Sequence, residues 1–311
     1  MTDARESKTS PEEPWDVGCL VEARGLGKRY KGFELRDVSL KIEAGSVFGL
    51  VGRNGSGKST TVRCLLGLVR ADAGAARVLG MSPLELNGPG AGVKEHLGVV
   101  FDTLPFPPAI KVGRVGSIMR ATYASWDQAG FERRLEAYGL PRGKACKDLS
   151  RGMGMKLQLA CALSHDARLL VLDEATAGLD PMARDETLDE LRAFVAQDGR
   201  AILMASHITS DLEKIADVVC CVDAGRVAFC LPKDEICDQM GVARVREADF
   251  GRLRESGTCG DGELRVLPEE GRGLAVLVPD YYAVRGALPE VACEHVTIEE
   301  YMSFVLKGEL R

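Results

Sequence analysis

Twenty residues, Val47 to Leu66 (VFGLVGRNGSGKSTTVRCLL), constrain this chain more than any other stretch. The short apolar run Val47 to Val51 reads as a buried strand. It meets Gly52-Arg53-Asn54-Gly55-Ser56-Gly57-Lys58-Ser59, which fits the pattern G-x-x-x-x-G-K-[ST]. Thr60 to Leu68 then has helix-forming character, with Leu65, Leu66 and Leu68 available to face a sheet. Strand, glycine loop and helix in that order are the context the motif needs. Gly55 and Gly57 permit the turns that aim successive backbone N–H groups inward. Those amides and the positive end of a helix beginning near Lys58 make a concave anion site. Lys58 is expected to bridge β- and γ-phosphate oxygens, and the Ser59 hydroxyl to ligate Mg²⁺. The stretch Gly52 to Thr60 is thus a nucleoside triphosphate cradle.

The remainder must supply a core around it. At 311 residues, 45% hydrophobic and 28% charged, the chain is long enough for one sizeable core and a smaller unit. No apolar run approaches the roughly 18–20 residues that span a bilayer. Met1 to Asp16 is polar and lacks an apolar core, so it reads as neither signal peptide nor anchor, and residues 1–18 are expected to be a disordered lead. Ten cysteines are scattered without a C-x-x-C pair, as small apolar residues of a reducing compartment would be. Between Glu235 and Arg311 lie 9 basic and 15 acidic residues, which account for the whole formal net charge of −6. The segment before it is neutral. Neither half carries the basic footprint of a nucleic-acid binder.

Val21 to Arg24 and Leu35 to Ile42 alternate as half-buried strands, and Tyr30 between them is either a strand-edge residue or a ring that stacks on a base. Leu97 to Phe101 reads as a buried strand ending at Asp102, followed by a proline-stiffened loop. Residues 112–165 turn helical, with Met119, Tyr123, Trp126, Phe131, Leu135 and Tyr138 at helical spacing, and Ser150 is a plausible N-cap. Leu169 to Leu172 runs straight into Asp173-Glu174. Carboxylates at the tip of a buried strand downstream of such a loop are where a Mg²⁺ partner belongs. A helix from about Met182 to Ala196 precedes the strand Ala201 to Ala205, which ends at Ser206-His207. Val218 to Val222 and Arg226 to Phe229 flank a hairpin turn at Asp223-Ala224-Gly225. After Pro232 the stretch Glu235 to Leu253 looks polar and broken. Leu264 to Leu267 and Leu274 to Val278 are strand-like, and Thr297 with Glu300 caps an amphipathic helix.

In chain order these features include Gly52 to Ser59, LSRGM at Leu149 to Met153, LLVLDE at Leu169 to Glu174, AGLD at Ala177 to Asp180 and ASH at Ala205 to His207. That succession resembles the nucleotide-binding subunit of an ATP-binding-cassette (ABC) transporter. The Phe101-Asp102 loop, the SRGM form and the tail TIEEYMSFVLKGE are similar to the ABC-2-type export ATPases of bacteria. The resemblance implies an α/β P-loop cassette over residues 19–232: a RecA-like parallel-sheet core, an antiparallel β part and a helical insertion at about 112–165. Residues 233–311 would be a small α+β accessory domain. It also implies roles. Tyr30 would stack on adenine; Asp173, with Ser59 and Asp102, would hold Mg²⁺; Glu174 would polarise the attacking water. His207 would bond the γ-phosphate. Ser150 and the Gly152 amide would grip a nucleotide held by another subunit, with Asp180 across the same interface, in a homo- or heterodimer of cassettes.

Three departures stand out. Asp102 replaces the usual Gln, Arg151 and Met153 replace the usual Gly and Gln, and Ala175 replaces a Pro. Lys58, Glu174 and His207 are intact. The expectation is an ATP-hydrolysing subunit with Mg²⁺ that drives an exporter through a separate permease chain. It would lie on the cytoplasmic face of the membrane, touching it only through that permease, with no nucleic-acid partner. The alternative is a weakly hydrolysing or regulatory subunit beside an active partner cassette.

Overall fold

Strands with buried side chains on both faces set the architecture. A computed structural model describes residues 15–16, 18–88, 91–260, 262–269, 271 and 273–311. Cys19–Tyr30 (β1) and Phe33–Glu43 (β2) form an antiparallel hairpin. Val47–Val51 (β3), buried at every position, leads into Lys58–Leu65 (α1). Ala73–Val78 (β4) returns to pair with β1, closing a three-stranded sheet in the order β2-β1-β4. Pro83–Leu86 (α2) is one capped turn before Leu97–Val100 (β5). Helices Val112–Thr122 (α3), Gln128–Ala137 (α4) and Arg151–Ala162 (α5) follow, packing on one another around Phe131, Leu135 and Leu157.

Leu169–Asp173 (β6), Pro181–Val195 (α6), Ala201–Ser206 (β7), Thr209–Ile215 (α7), Val218–Asp223 (β8) and Arg226–Pro232 (β9) complete the large sheet. Its order is β5-β6-β7-β3-β8-β9, parallel throughout except for the final hairpin. Parallel strands covered on both faces read as unbroken apolar runs, which is the character of β3, β6 and β7. One apolar cluster joins the sheet to α1 and the β1–β2–β4 sheet; another lies on the opposite face under α5, α6 and α7.

Gly241–Arg246 (β10), Phe250–Glu255 (α8), Arg265–Glu269 (β11), Gly273–Val278 (β12), Tyr281–Ala287 (α9), Ala292–His295 (β13), Ile298–Lys307 (α10) and Glu309–Leu310 (β14) build a second antiparallel sheet, ordered β13-β10-β12-β11-β14. Thr297 and Glu300 cap α10 reciprocally, as their spacing predicts.

Three sequence readings need correction. Glu235 to Leu253 is not simply broken: it contains β10, which sits inside the second sheet between β12 and β13. Only Val242, Ala243 and Val245 mark it as a strand, and the flanking arginines hide them. The helix after the glycine loop stops at Leu65, so Leu65 and Leu66 are buried but Leu68 is 56% exposed. The lead expected over residues 1–18 falls mainly on residues 1–14 and 17, outside the described residues, yet Trp15 and Asp16 are ordered against β1. Arg24 lies over the Trp15 ring at 4.4 Å, and the Asp16 N–H donates to Glu22 at 3.0 Å.

Candidate active site

The parallel register gathers the chemistry. Val51 pairs with Ser206 and Asp173 with Ala205, so the tips of β3, β6 and β7 end at one level. Ligand sites of open parallel sheets form at such carboxyl ends. Beyond Val51 the chain turns at Gly52, whose φ is 155°. A Cβ there would lie 2.2 Å from the Val222 carbonyl oxygen and 2.6 Å from Ser56 Oγ, so only glycine fits. Gly57, at φ 123°, precedes α1. No side chain caps that helix, leaving its first amides free to face the cleft. The Gly225 N–H donates to the Ser56 carbonyl at 2.9 Å and ties the loop to the β8–β9 hairpin. Ser56 Oγ is buried with no hydrogen-bond partner among the described residues. An unpaired hydroxyl inside an amide-lined concavity suits an anion with acceptor oxygens.

Lys58 is buried and lies across its own loop. Its Nζ donates to the Gly52 carbonyl at 2.7 Å and the Arg53 carbonyl at 3.3 Å, and stands 3.6 Å from Glu174 Oε1. Ser59 Oγ donates to Asp173 Oδ1 at 3.0 Å. Asp173 is 1% exposed, and burial pushes its carboxyl above the ordinary aspartate range, with Asp102 and Glu174 adding to the effect and Ser59 opposing it. Glu174 takes a left-handed φ of 59°, unusual for a residue with a Cβ. Its N–H still donates to the Ala205 carbonyl at 2.8 Å, so the twist turns the side chain off the strand line into the cleft. There it meets His207 Nδ1 at 2.5 Å.

These groups surround a cleft of about 790 Å³ lined by Gly32, Phe33, residues 54–60, Asp102, Arg151, Glu174 and His207. Gly52 lies behind the loop, bonded to Lys58, and Asp173 beneath it, bonded to Ser59. Tyr30, Ser150, Gly152 and Asp180 do not line the cleft. Tyr30 is 46% exposed at the end of β1, across the tight turn from Phe33. Ser150 caps α5 by accepting the Met153 N–H at 3.2 Å and opens on a separate cavity of about 110 Å³. Gly152 packs against the Gly178 carbonyl. Asp180 caps α6, and the Ala183 N–H at 3.0 Å holds its carboxyl below the usual range. Sequence reading missed Phe33, whose only signal is an aromatic residue facing Tyr30 across a glycine turn. Arg151, expected as an added cation near phosphate, comes from the start of α5 and lines the rim of this cleft.

Among the described residues no three His, Cys, Asp or Glu side chains gather as a self-sufficient metal cage. The hydroxyl and carboxylate oxygens of Ser59 and Asp173 are the hard donors that a divalent cation such as Mg²⁺ takes.

A triphosphate cradle at the tip of a doubly covered parallel sheet, with paired carboxylates at the tip of β6, one strand removed from β3, defines a P-loop nucleoside triphosphatase. Residues 35–177 match the ABC transporter family. The chain is 34% identical over 281 residues to the Nod factor export ATP-binding protein I of Rhizobium leguminosarum bv. viciae, covering 86% of this chain and 87% of that protein. It is 29% identical to the daunorubicin/doxorubicin resistance ATP-binding protein DrrA of Streptomyces peucetius, over 90% of this chain and 87% of that one. The solved ATP-binding subunit of an ABC transporter superposes with a TM-score of 0.62 at 26% identity, over 70% of this chain and 91% of that one. The chain belongs to the ABC transporter family, as an ATP-binding and ATP-hydrolysing cassette.

Proposed function

We propose that this cassette powers a membrane exporter, pairing with a second cassette to enclose two MgATP and docking on a separate permease chain. The observation that carries the reading is the convergence of Lys58, Glu174 and His207 at the tips of three parallel strands, with Glu174 3.6 Å from one and 2.5 Å from the other. Residues 54–60 would cradle the phosphates, with the Gly52 turn fixing the loop. Ser59, Asp173 and Asp102 would hold Mg²⁺, which supplies charge neutralisation at the β- and γ-phosphates. Glu174 would accept the proton of the attacking water, and His207 would hold the carboxylate and bond the γ-phosphate. Tyr30 would stack on the adenine.

Ser150 and Gly152, at the N-terminus of α5, stand apart from the chain's own phosphate loop, which supports their use on a nucleotide held by a partner cassette, with Asp180 near that interface. Among the described residues no helix is long and apolar enough to cross a membrane, so the pathway would belong to another chain. The export named for the Rhizobium relative supports the direction. Residues 19–232 form the nucleotide domain in this proposal and 233–311 its accessory unit. A weakly hydrolysing subunit is the second reading, favoured by Asp102, whose extra negative charge adds to the pressure on Asp173.

The test is ATP turnover by the purified chain beside Glu174→Gln, with gel filtration of both in MgATP. Losing a general base is expected to slow turnover about 10²–10⁴-fold while ATP binding persists and a dimer accumulates. Binding without turnover in the wild type would favour the regulatory reading. Failure to bind ATP would sink both.

A further inference from the structure

β5 is the edge strand of the large sheet, and its ladder to β6 ends at the pair Val100–Leu172. The next residue, Phe101, has a backbone N–H and C=O that no strand receives, and both are partly buried. Main-chain groups so placed must find partners or carry a desolvation cost. One side chain serves both. The Phe101 N–H donates to Gln158 Oε1 at 2.9 Å, and Gln158 Nε2 donates to the Phe101 carbonyl at 3.0 Å. A primary amide can imitate a strand neighbour in this way at neutral pH, donating and accepting from one plane. Gln158 lies two helical turns into α5 and is 3% exposed. Its nearest other polar contact is the weak acceptor Met155 Sδ at 3.9 Å.

The consequence concerns the residue that follows. Asp102 lines the phosphate cleft, and together with Gln158, Ser150 and Arg151 it also lines the smaller cavity at the start of α5. We propose that Gln158 is a positioning residue: it holds the Phe101 peptide to α5, so that the helix carrying Ser150 and Gly152 sets where Asp102 stands at the cleft. Any movement of α5 relative to the sheet is then transmitted to Asp102 through two hydrogen bonds. An apolar residue at 158 would fill the same space and release that link. This inference rests on the proposed role of Asp102 beside MgATP.

The test uses the full chain with Gln158→Leu, Asp102→Ala and the double variant, each measured for turnover, for affinity toward a fluorescent ATP analogue and for hydrogen exchange of the Phe101 amide. Gln158→Leu is expected to slow kcat about tenfold, the scale of one or two lost positioning hydrogen bonds, while analogue affinity changes less than about threefold. The Phe101 amide should lose protection. In the Asp102→Ala background Gln158→Leu should add nothing, because two residues acting through one contact are not additive. Gln158→Glu, which keeps the acceptor and loses the donor, should fall between the two and recover toward low pH as the carboxyl gains a proton. Additive losses, unchanged Phe101 protection, or a loss of affinity equal to the loss of kcat would overturn the proposal. Deprotection of Phe101 without ATP turnover in any chain would instead count against the motor reading while leaving the link in place.

Discussion

Asp173 shows the conflict between stability and chemistry at the scale of a single side chain. Its carboxyl is pushed up by burial at the strand tip, and only Ser59 and Arg63 offset this. A carboxyl with a folded pKa above its unfolded value contributes stability that is full below the unfolded value and lost as pH rises through the folded one. At neutral pH Asp173 therefore costs the fold stability. Asp173→Asn is expected to raise the melting temperature by a few degrees at pH 7, with the gain shrinking as pH falls toward the ordinary aspartate value of 3.8. Turnover should be lost in the same variant. Calorimetry at two pH values checks the sign; destabilisation at pH 7 would mean that the Ser59 bond outweighs burial.

The aromatic pair at the β1–β2 turn offers a second residue-scale prediction. Tyr30 is exposed and free to meet a base, with Lys28 5.6 Å from its ring, whereas Phe33 already faces the cleft beside Gly57. Base stacking is worth about 1–3 kcal/mol, so Tyr30→Ala should weaken ATP binding roughly 5- to 150-fold, with little change for inorganic triphosphate. If Phe33→Ala takes that loss instead, the base lies on Phe33.

Among the secondary elements, those with one dominant local cause were legible from sequence. β3, β6 and β7 are unbroken apolar runs because both faces are covered, and Asp223-Ala224-Gly225 turns β8 into β9. The start of α10 was legible from Thr297 and Glu300 alone. Its cap is also joined to the cassette, since the Ile298 N–H donates to Glu213 on α7 at 2.8 Å. Thr297→Ala is expected to cost about 0.5–2 kcal/mol, measured by denaturant unfolding, because the Glu300 N–H loses its acceptor while the N–H of residue 297 keeps its bond to the Glu300 carboxylate. β10 was not legible: its identity depends on two neighbours, β12 and β13, that lie later in the chain. The same holds in the cleft. Lys58, Ser59, Asp173 and Glu174 are fixed by local motif and burial, but Phe33 and Gln158 arrive by tertiary packing that no local pattern encodes.

The whole molecule has a core that does not stop at Pro232. Ile298, Tyr301 and Phe304 of α10, with Val242 and Ala275, lie in the same buried cluster as Leu212, Ile215 and Ala216 beneath the large sheet. Tyr301 meets Phe229 of β9 edge to face, with centroids 4.8 Å apart. A unit that completes its neighbour's core cannot unfold without exposing it, so the acidic C-terminal segment is expected to melt together with the cassette in one transition. Phe304 is fully buried at this junction, and Phe304→Ala should destabilise by about 3–5 kcal/mol through lost transfer energy and a cavity. That loss should lower the melting point of nucleotide binding, followed by a fluorescent ATP analogue, as much as it lowers the melting of total helix content. Two separated transitions, with nucleotide binding surviving the first, would mean that residues 233–311 are an independent passenger. Coincident loss would mean that the segment beyond Pro232 buttresses α7 and, through Leu212 against Gly49, the strand β3 that feeds the phosphate loop.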